Sequence, residues 1–203
     1  MENSLSILSL NIGLSSTLAG LSSIVSVNKV DLILLQEVRI CKDQLNGMLG
    51  GFGYQAEVNI DTEAPFKPGT AIVWRKSLPV QQVVTLVSCR CQVAVLTNIA
   101  IVNIYAPSGS DKRQERFTFF SHDVFNAVSL FPRHSHVLGG DFNAILSPLD
   151  VEDGKGFSHK FCKALKDLTG GCQLIDVFRL KYPNKREYTF FRPGKAPSRL
   201  DKF

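Results

Sequence analysis

At 203 residues, with 44% hydrophobic and 20% charged residues, the chain is long enough to bury one core and too apolar for a disordered tail. Residues 3–28 carry no charge, but they are rich in Ser, Asn and Gly and only Glu2 precedes them, which argues against a secretion signal or a membrane span. Cysteines 41, 89, 91, 162 and 172 form an odd set without metal-ligand spacing, as expected of reduced thiols in an intracellular protein.

The net charge of +5 is unevenly spread. Residues 179–203 hold eight basic residues (Arg179, Lys181, Lys185, Arg186, Arg192, Lys195, Arg199, Lys202) against Glu187 and Asp201, a net of +6 that leaves −1 on the other 178 residues. A basic end on a near-neutral body predicts a polyanionic partner. Tyr182, Tyr188, Phe190 and Phe191 in the same stretch predict that part of it is packed.

In chain order, residues 5–10 read as a strand delivering Asn11, with Gly13 closing the turn. Leu14, Leu18, Leu21 and Val25 then recur at helical spacing. The apolar run 30–35 predicts a buried central strand ending in Gln36-Glu37, and a short helix follows Lys42 up to the Gly50-Gly51 break. Strands are expected at 54–59, 70–75, 80–87, 92–98 and 100–105, punctuated by Pro65, Pro68 and Pro79. Asp111 with Gln114 resembles a capping box, ahead of a helical stripe of Phe117, Phe120, Val124 and Val128.

The stretch His-Val-Leu-Gly-Gly-Asp-Phe-Asn (136–143) reads as the next strand. Alternation would put Asp141 and Asn143 on one face, and Gly139 and Gly140 would leave room for another group to approach. A loop over 147–156 leads to a helix with Phe157, Phe161, Leu165 and Leu168 on one face and Gly170-Gly171 at its end. Segments 174–178, 187–191 and 199–203 are short closing pieces. So many consecutive strands do not fit a βαβ array; they predict a single domain of two packed sheets with helices outside.

Polar groups fall at the ends of these apolar runs: Asn11, Gln36-Glu37, Tyr105, Asp141 with Asn143, and Asp201. Each alone fits an ordinary structural role, such as a turn or a strand end. Together, an amide, a lone carboxylate, an acid–amide pair and a tyrosine suit an oxygen-rich Mg²⁺ site completed by water and phosphate.

Ser-Leu-Asn-Ile-Gly (9–13), Leu-Leu-Gln-Glu-Val (34–38), Val-Asn-Ile-Tyr-Ala-Pro (102–107), Gly-Gly-Asp-Phe-Asn (139–143), Tyr-Thr-Phe (188–190) and Ser-Arg-Leu-Asp (198–201) run in the order of the endonuclease/exonuclease/phosphatase superfamily, which the chain resembles over residues 4–203. The last two motifs look most like the endonuclease domain of LINE-type retrotransposons. The Trp- and Cys-bearing signature of the inositol-phosphate phosphatases is absent. The resemblance implies a DNase I-like α/β fold of the α+β type, a four-layer sandwich of two packed mixed β-sheets flanked by helices. It implies Mg²⁺, with Mn²⁺ as the alternative ion, held by Glu37 with Asn11 beside it. Asp141 would position or deprotonate the attacking water, Asn143 and Tyr105 would hold the scissile phosphate, and Thr189, Arg192 and Arg199 would contact DNA. Asp201 matches the family aspartate that orients a catalytic histidine.

That histidine belongs to a final Ser-Asp-His strand, which the sequence lacks, and His122, His134, His136 and His159 read as surface or structural residues. The expectation is therefore a Mg²⁺-dependent DNA endonuclease leaving a 3′-hydroxyl, impaired by the missing motif. It would act in the nucleus, off the membrane, in a parent chain continuing into a reverse transcriptase. The alternatives are an inactive fragment that binds nucleic acid through the basic segment, and a phosphoesterase for a small or lipid substrate.

Overall fold

The computed structural model describes residues 4–13, 15–27, 29–64, 67–153 and 159–203. Leu14, Pro65, Phe157 and the end of the 147–156 loop lie outside the described residues, as do the side chains of Leu18, His159 and Phe161. The chain forms two units, one of Met1–Tyr105 with Arg133–Gly140, the other of Ala106–Pro132 with Asp141–Phe203.

The first unit contains β1 (Ile7–Asn11), α1 (Ser15–Val27), β2 (Leu32–Val38), α2 (Lys42–Leu49), β3 (Tyr54–Asn59), β4 (Gly69–Arg75), β5 (Gln82–Val87), β6 (Cys91–Val95), β7 (Ile99–Tyr105) and β8 (Ser135–Asp141, whose last residue opens the second unit). One sheet runs β1-β2-β4-β3. β1 lies parallel to β2, while β4 is antiparallel to both β2 and β3. The second sheet contributes β8-β7-β6-β5 to this unit.

The continuous apolar run of β2 is central, as expected, and Leu32 to Leu35 are wholly buried. Ile33 and Leu35 join Leu21 and Val25 of α1 and Leu45 and Leu49 of α2 in one core cluster. The strand expected at 92–98 ends earlier: Leu96 N–H donates to Ile99 O at 2.9 Å, closing a tight turn over Thr97 and Asn98.

Facing residues of the two sheets form a polar seam within this apolar unit. The Asn103 amide donates to Leu35 O and Ala71 O (3.0 and 2.9 Å) and accepts from Gln36 Nε2 (2.9 Å), so all three of these capacities are used in the dry interior. Thr70 Oγ1 donates to Gln92 Oε1 (3.0 Å), and Asn59 spans Val87 O and Cys89 N (2.9 Å each).

The second unit contains α3 (Arg113–Thr118), a π-helical turn (Phe119–Val124), α4 (Phe125–Ser129), α5 (His159–Gly171), α6 (Val177–Lys181), and the short strands β9 (Phe190–Arg192), β10 (Lys195–Ser198) and β11 (Asp201–Lys202). The capping box expected at Asp111 does not form; Lys112 holds the N-cap position without a side-chain bond. The wide π turn also shifts the helical face. Phe117 is 38% exposed, whereas Phe119, Phe120, Val124 and Val128 are buried.

α5 ends at Gly170-Gly171 as expected, and the left-handed turn that follows falls at Gln173 (φ 54°), with Leu174 N–H donating to Thr169 O at 2.8 Å. Within the closing piece 174–178, Asp176 Oδ1 accepts from Arg179 N and caps α6. No helix among the described residues is long and apolar enough to cross a membrane.

Candidate active site

In the first unit, Asn11 at the end of β1 and Glu37 near the end of β2 meet because the two parallel strands pair in register, Asn11 beside Gln36. Asn11 Nδ2 donates to Glu37 Oε1 at 3.0 Å, and Asn11 Oδ1 accepts from Gly13 N at 3.0 Å. Glu37 sits at φ 57°, a left-handed conformation that non-glycine residues adopt rarely and at a cost of order 1 kcal/mol or more, typically at functional sites. Its carboxylate lies over Gly13, where a Cβ would stand 2.2 Å from Oε2, and Arg39 Nη1 is 3.8 Å from the same oxygen.

Gln36, read from the sequence as part of this polar set, is fully buried in the seam. Tyr105, at the end of β7, is buried, with the Arg90 guanidinium 4.6 Å above its ring.

No group of three His, Cys, Asp or Glu side chains is placed to hold a metal among the described residues. One half-buried carboxylate steered by an amide still fits Mg²⁺, a hard ion that takes one or two carboxylates and fills its remaining positions with water and phosphate oxygens. The donor set therefore suits the ion. Glu37 would hold it, and Asn11, with both ends of its amide engaged, would orient Glu37.

In the second unit, Asp141 and Asn143 come together by a different route from the extended strand expected. Asn143 turns left-handed (φ 46°) and its N–H donates to Asp141 Oδ1 at 2.9 Å, an Asx turn. Asn143 Nδ2 donates to Ala106 O (2.9 Å), and Ala106 N–H donates to Asp141 O (2.8 Å). Between them Phe142 is buried and stacks on Phe120, centroids 5.9 Å apart. Asp141 is only 7% exposed.

The glycines do not leave room for a ligand at Gly140. A Cβ there would stand 2.0 Å from Ile104 O, and its φ of 135° suits glycine alone. Backbone fills that space.

Arg116 on α3 was not legible as a site residue in the sequence, where no motif marks it. Its Nη1 donates to Pro107 O and to Gly109 O (3.4 Å), and its Nη2 also reaches Gly109 O (3.4 Å). Burial first, then Arg113, lowers its pKa, and Asp141 is the strongest group acting the other way.

The C-terminal expectations change most. Arg199, expected on DNA, is 3% exposed and committed to an ion network: its Nε donates to Asp150 Oδ1 (3.0 Å) and its two Nη groups to Asp176. Asp150 is wholly buried and also accepts from Arg179 Nη2 (2.5 Å) and Lys202 Nζ (3.2 Å). Burial alone would raise the Asp150 carboxyl, but Lys202, Arg179 and Arg199 outweigh it and hold it at about 2. Burial in turn pushes the Lys202 ammonium down to about 8, against the pull of Asp150.

Three of the eight basic residues are thus paired internally with two aspartates outside the 179–203 window. Lys181, Lys185, Arg186, Arg192 and Lys195 stay exposed, although Lys185 pairs with Glu187 at 2.6 Å.

Thr189, also expected on a phosphate, uses its Oγ1 to accept from Leu200 N and Asp201 N (3.1 Å each). It is a structural tie between the β9 approach and β11. Asp201 sits against it; burial raises the Asp201 carboxyl, with Thr189 and Lys202 opposing. Arg192, on β9, is exposed.

Two packed mixed sheets flanked by helices, with amide and carboxylate side chains at the strand ends, define an α/β sandwich. The same fold is seen in an AP endonuclease from Archaeoglobus fulgidus (TM-score 0.77, 21% identity, 98% of this chain and 85% of that one) and in the 3′ phosphatase NExo from Neisseria, solved bound to a product DNA hairpin (TM-score 0.77, 20% identity, the same coverages). Residues 8–203 match the Endonuclease/Exonuclease/phosphatase family, and the chain belongs to it.

Proposed function

We propose that the chain is a Mg²⁺-dependent phosphodiesterase that nicks one DNA strand to leave a 3′-hydroxyl, as the LINE-type endonucleases do. The observation that carries this reading is the Asx turn at Asp141: a buried carboxylate with one oxygen fixed by Asn143 N holds a set direction, as a group that orients and deprotonates water must. The Asn143 amide, pinned to Ala106 O, keeps its remaining capacity beside that water for a phosphate oxygen. Glu37, steered by Asn11, would hold the ion, which when bound supplies charge neutralisation. Exposed Lys181, Arg186, Arg192 and Lys195 supply the electrostatic footprint for DNA.

The retrotransposon assignment rests on Tyr-Thr-Phe and Ser-Arg-Leu-Asp, and with it go a reverse transcriptase in the parent chain and action in the nucleus. Incubating supercoiled plasmid with the protein and Mg²⁺, and extending the nicks with a polymerase, tests the reading. Equal nicking by wild type and Asp141→Ala would sink it. Salt-dependent DNA binding without nicking would put a binding role in its place, the reading favoured by the exposed cations alone. Release of phosphate from small monoesters, with DNA left intact, would point to a small-substrate phosphoesterase.

A further inference from the structure

The segment 106–109 has no regular structure, and Pro107 has no N–H to anchor it, yet the Asp141 turn is tied to it. Ala106 is held from both sides, its N–H on Asp141 O and its carbonyl under Asn143 Nδ2. Wherever Ala106 moves, the Asn143 amide moves too. The carbonyls of Pro107 and Gly109, one and three residues on, are both taken by the single guanidinium of Arg116. Arg116 is half-buried, whereas Arg113, Gln114 and Glu115 before it are exposed. It has therefore turned inward from a solvated helix face, and desolvation is the main influence on its pKa.

We infer that Arg116 is a positioning residue. Its planar fork clamps the Pro107 and Gly109 carbonyls and so fixes, through Ala106, the direction of the Asn143 amide at the Asp141 turn. A lysine in its place would keep the charge but present an ammonium that lacks the fork's fixed geometry. The inference rests on the phosphodiesterase reading for its effect on turnover, but not for its effect on Asn143.

The test compares wild type, Arg116→Gln, Arg116→Lys and, as a control on the exposed face, Gln114→Ala. Two readouts are used: kcat and KM for Mg²⁺-dependent plasmid nicking, and the NMR resonances of the Asn143 side-chain NH₂. Arg116→Gln should lower kcat by about 10- to 100-fold with little change in KM, as expected when a catalytic group is misplaced by a fraction of an ångström. It should also shift the Asn143 NH₂ resonances and speed their exchange with solvent. Arg116→Lys should recover part of both effects, and Gln114→Ala should leave both at wild-type values.

If wild type does not nick DNA but Arg116→Gln moves the Asn143 amide, the functional reading falls and the positioning role stands. An unmoved Asn143 amide, or a loss seen only in KM, overturns the positioning role. Should Arg116→Gln fail to fold, Arg116→Lys carries the same readouts: wild-type behaviour in both would overturn the inference, and a partial loss in both would support it.

Discussion

Replacing Asp150 with Asn keeps the shape of the side chain and removes the charge on which three cations converge. In the wild type its carboxyl is held at about 2 against an ordinary 3.8, a difference worth about 2 kcal/mol of preference for the ionised form. That sets a floor for the cost. The variant also leaves Arg199 and Lys202, 3% and 5% exposed, buried with Asp176 as the remaining carboxylate of the network. Removing one partner of a buried charge cluster costs about 3–5 kcal/mol, so a loss in that range is expected at pH 7.

Because the folded-state pKa lies below the unfolded one, the Asp150 contribution is fully present above the ordinary carboxylate range and is lost as pH falls through about 2. The gap between wild type and Asp150→Asn should therefore narrow in acid. Urea unfolding followed by far-ultraviolet circular dichroism between pH 7 and pH 2.5 measures this directly. Adding Lys202→Met to Asp150→Asn should return at least about 1 kcal/mol, since it removes an ammonium left without its partner. A loss under about 1 kcal/mol at pH 7, or one that does not shrink in acid, would refute the reasoning.

Gly140→Ala should lower Tm sharply, with a loss of about 3 kcal/mol or more, because its Cβ would stand 2.0 Å from a backbone oxygen at a φ of 135°; an unchanged melting curve would contradict the assigned strand contact. Gly13→Ala meets side-chain atoms alone, the carboxylate end of Glu37 and, at 3.3 Å, Asn11 Oδ1, so it should leave Tm near wild type while displacing the carboxylate. Half-maximal nicking should then need about 10-fold more Mg²⁺, as an ion titration would show. Arg192→Ala should weaken DNA binding and reduce the slope of log K against log salt by about 1, checked by fluorescence anisotropy over a salt series.

The apolar runs of β2, β3, β4 and β7 were legible because a strand buried on a face announces itself in local composition. So was the position of Asn11 and Glu37, since both follow such runs. What the sequence could not convey were the choices made by partners far along the chain. Arg199 reads as a cation free for DNA only until Asp150 and Asp176, 49 and 23 residues away, are seen beside it. Asn143 was expected on an extended strand because alternation is the default, whereas an Asx bond reverses the chain one residue past Phe142. The π turn over Phe119–Val124 escaped for a similar reason: a 3.6-residue period is the default reading of an apolar helical stripe.

The buried amides of Asn59, Gln92 and Asn103 have a consequence for assembly. Two sheets with purely aliphatic faces can slide past each other by one rung and lose little, since methyl groups are interchangeable. Here a slide of one rung would strand several amide and carbonyl groups in a dry interior, at about 1–3 kcal/mol each. The seam therefore works as a key that admits one lateral offset between the sheets. Late docking of misaligned sheets during folding would stall there, before it could trap β1 and β2 with Asn11 and Glu37 out of place.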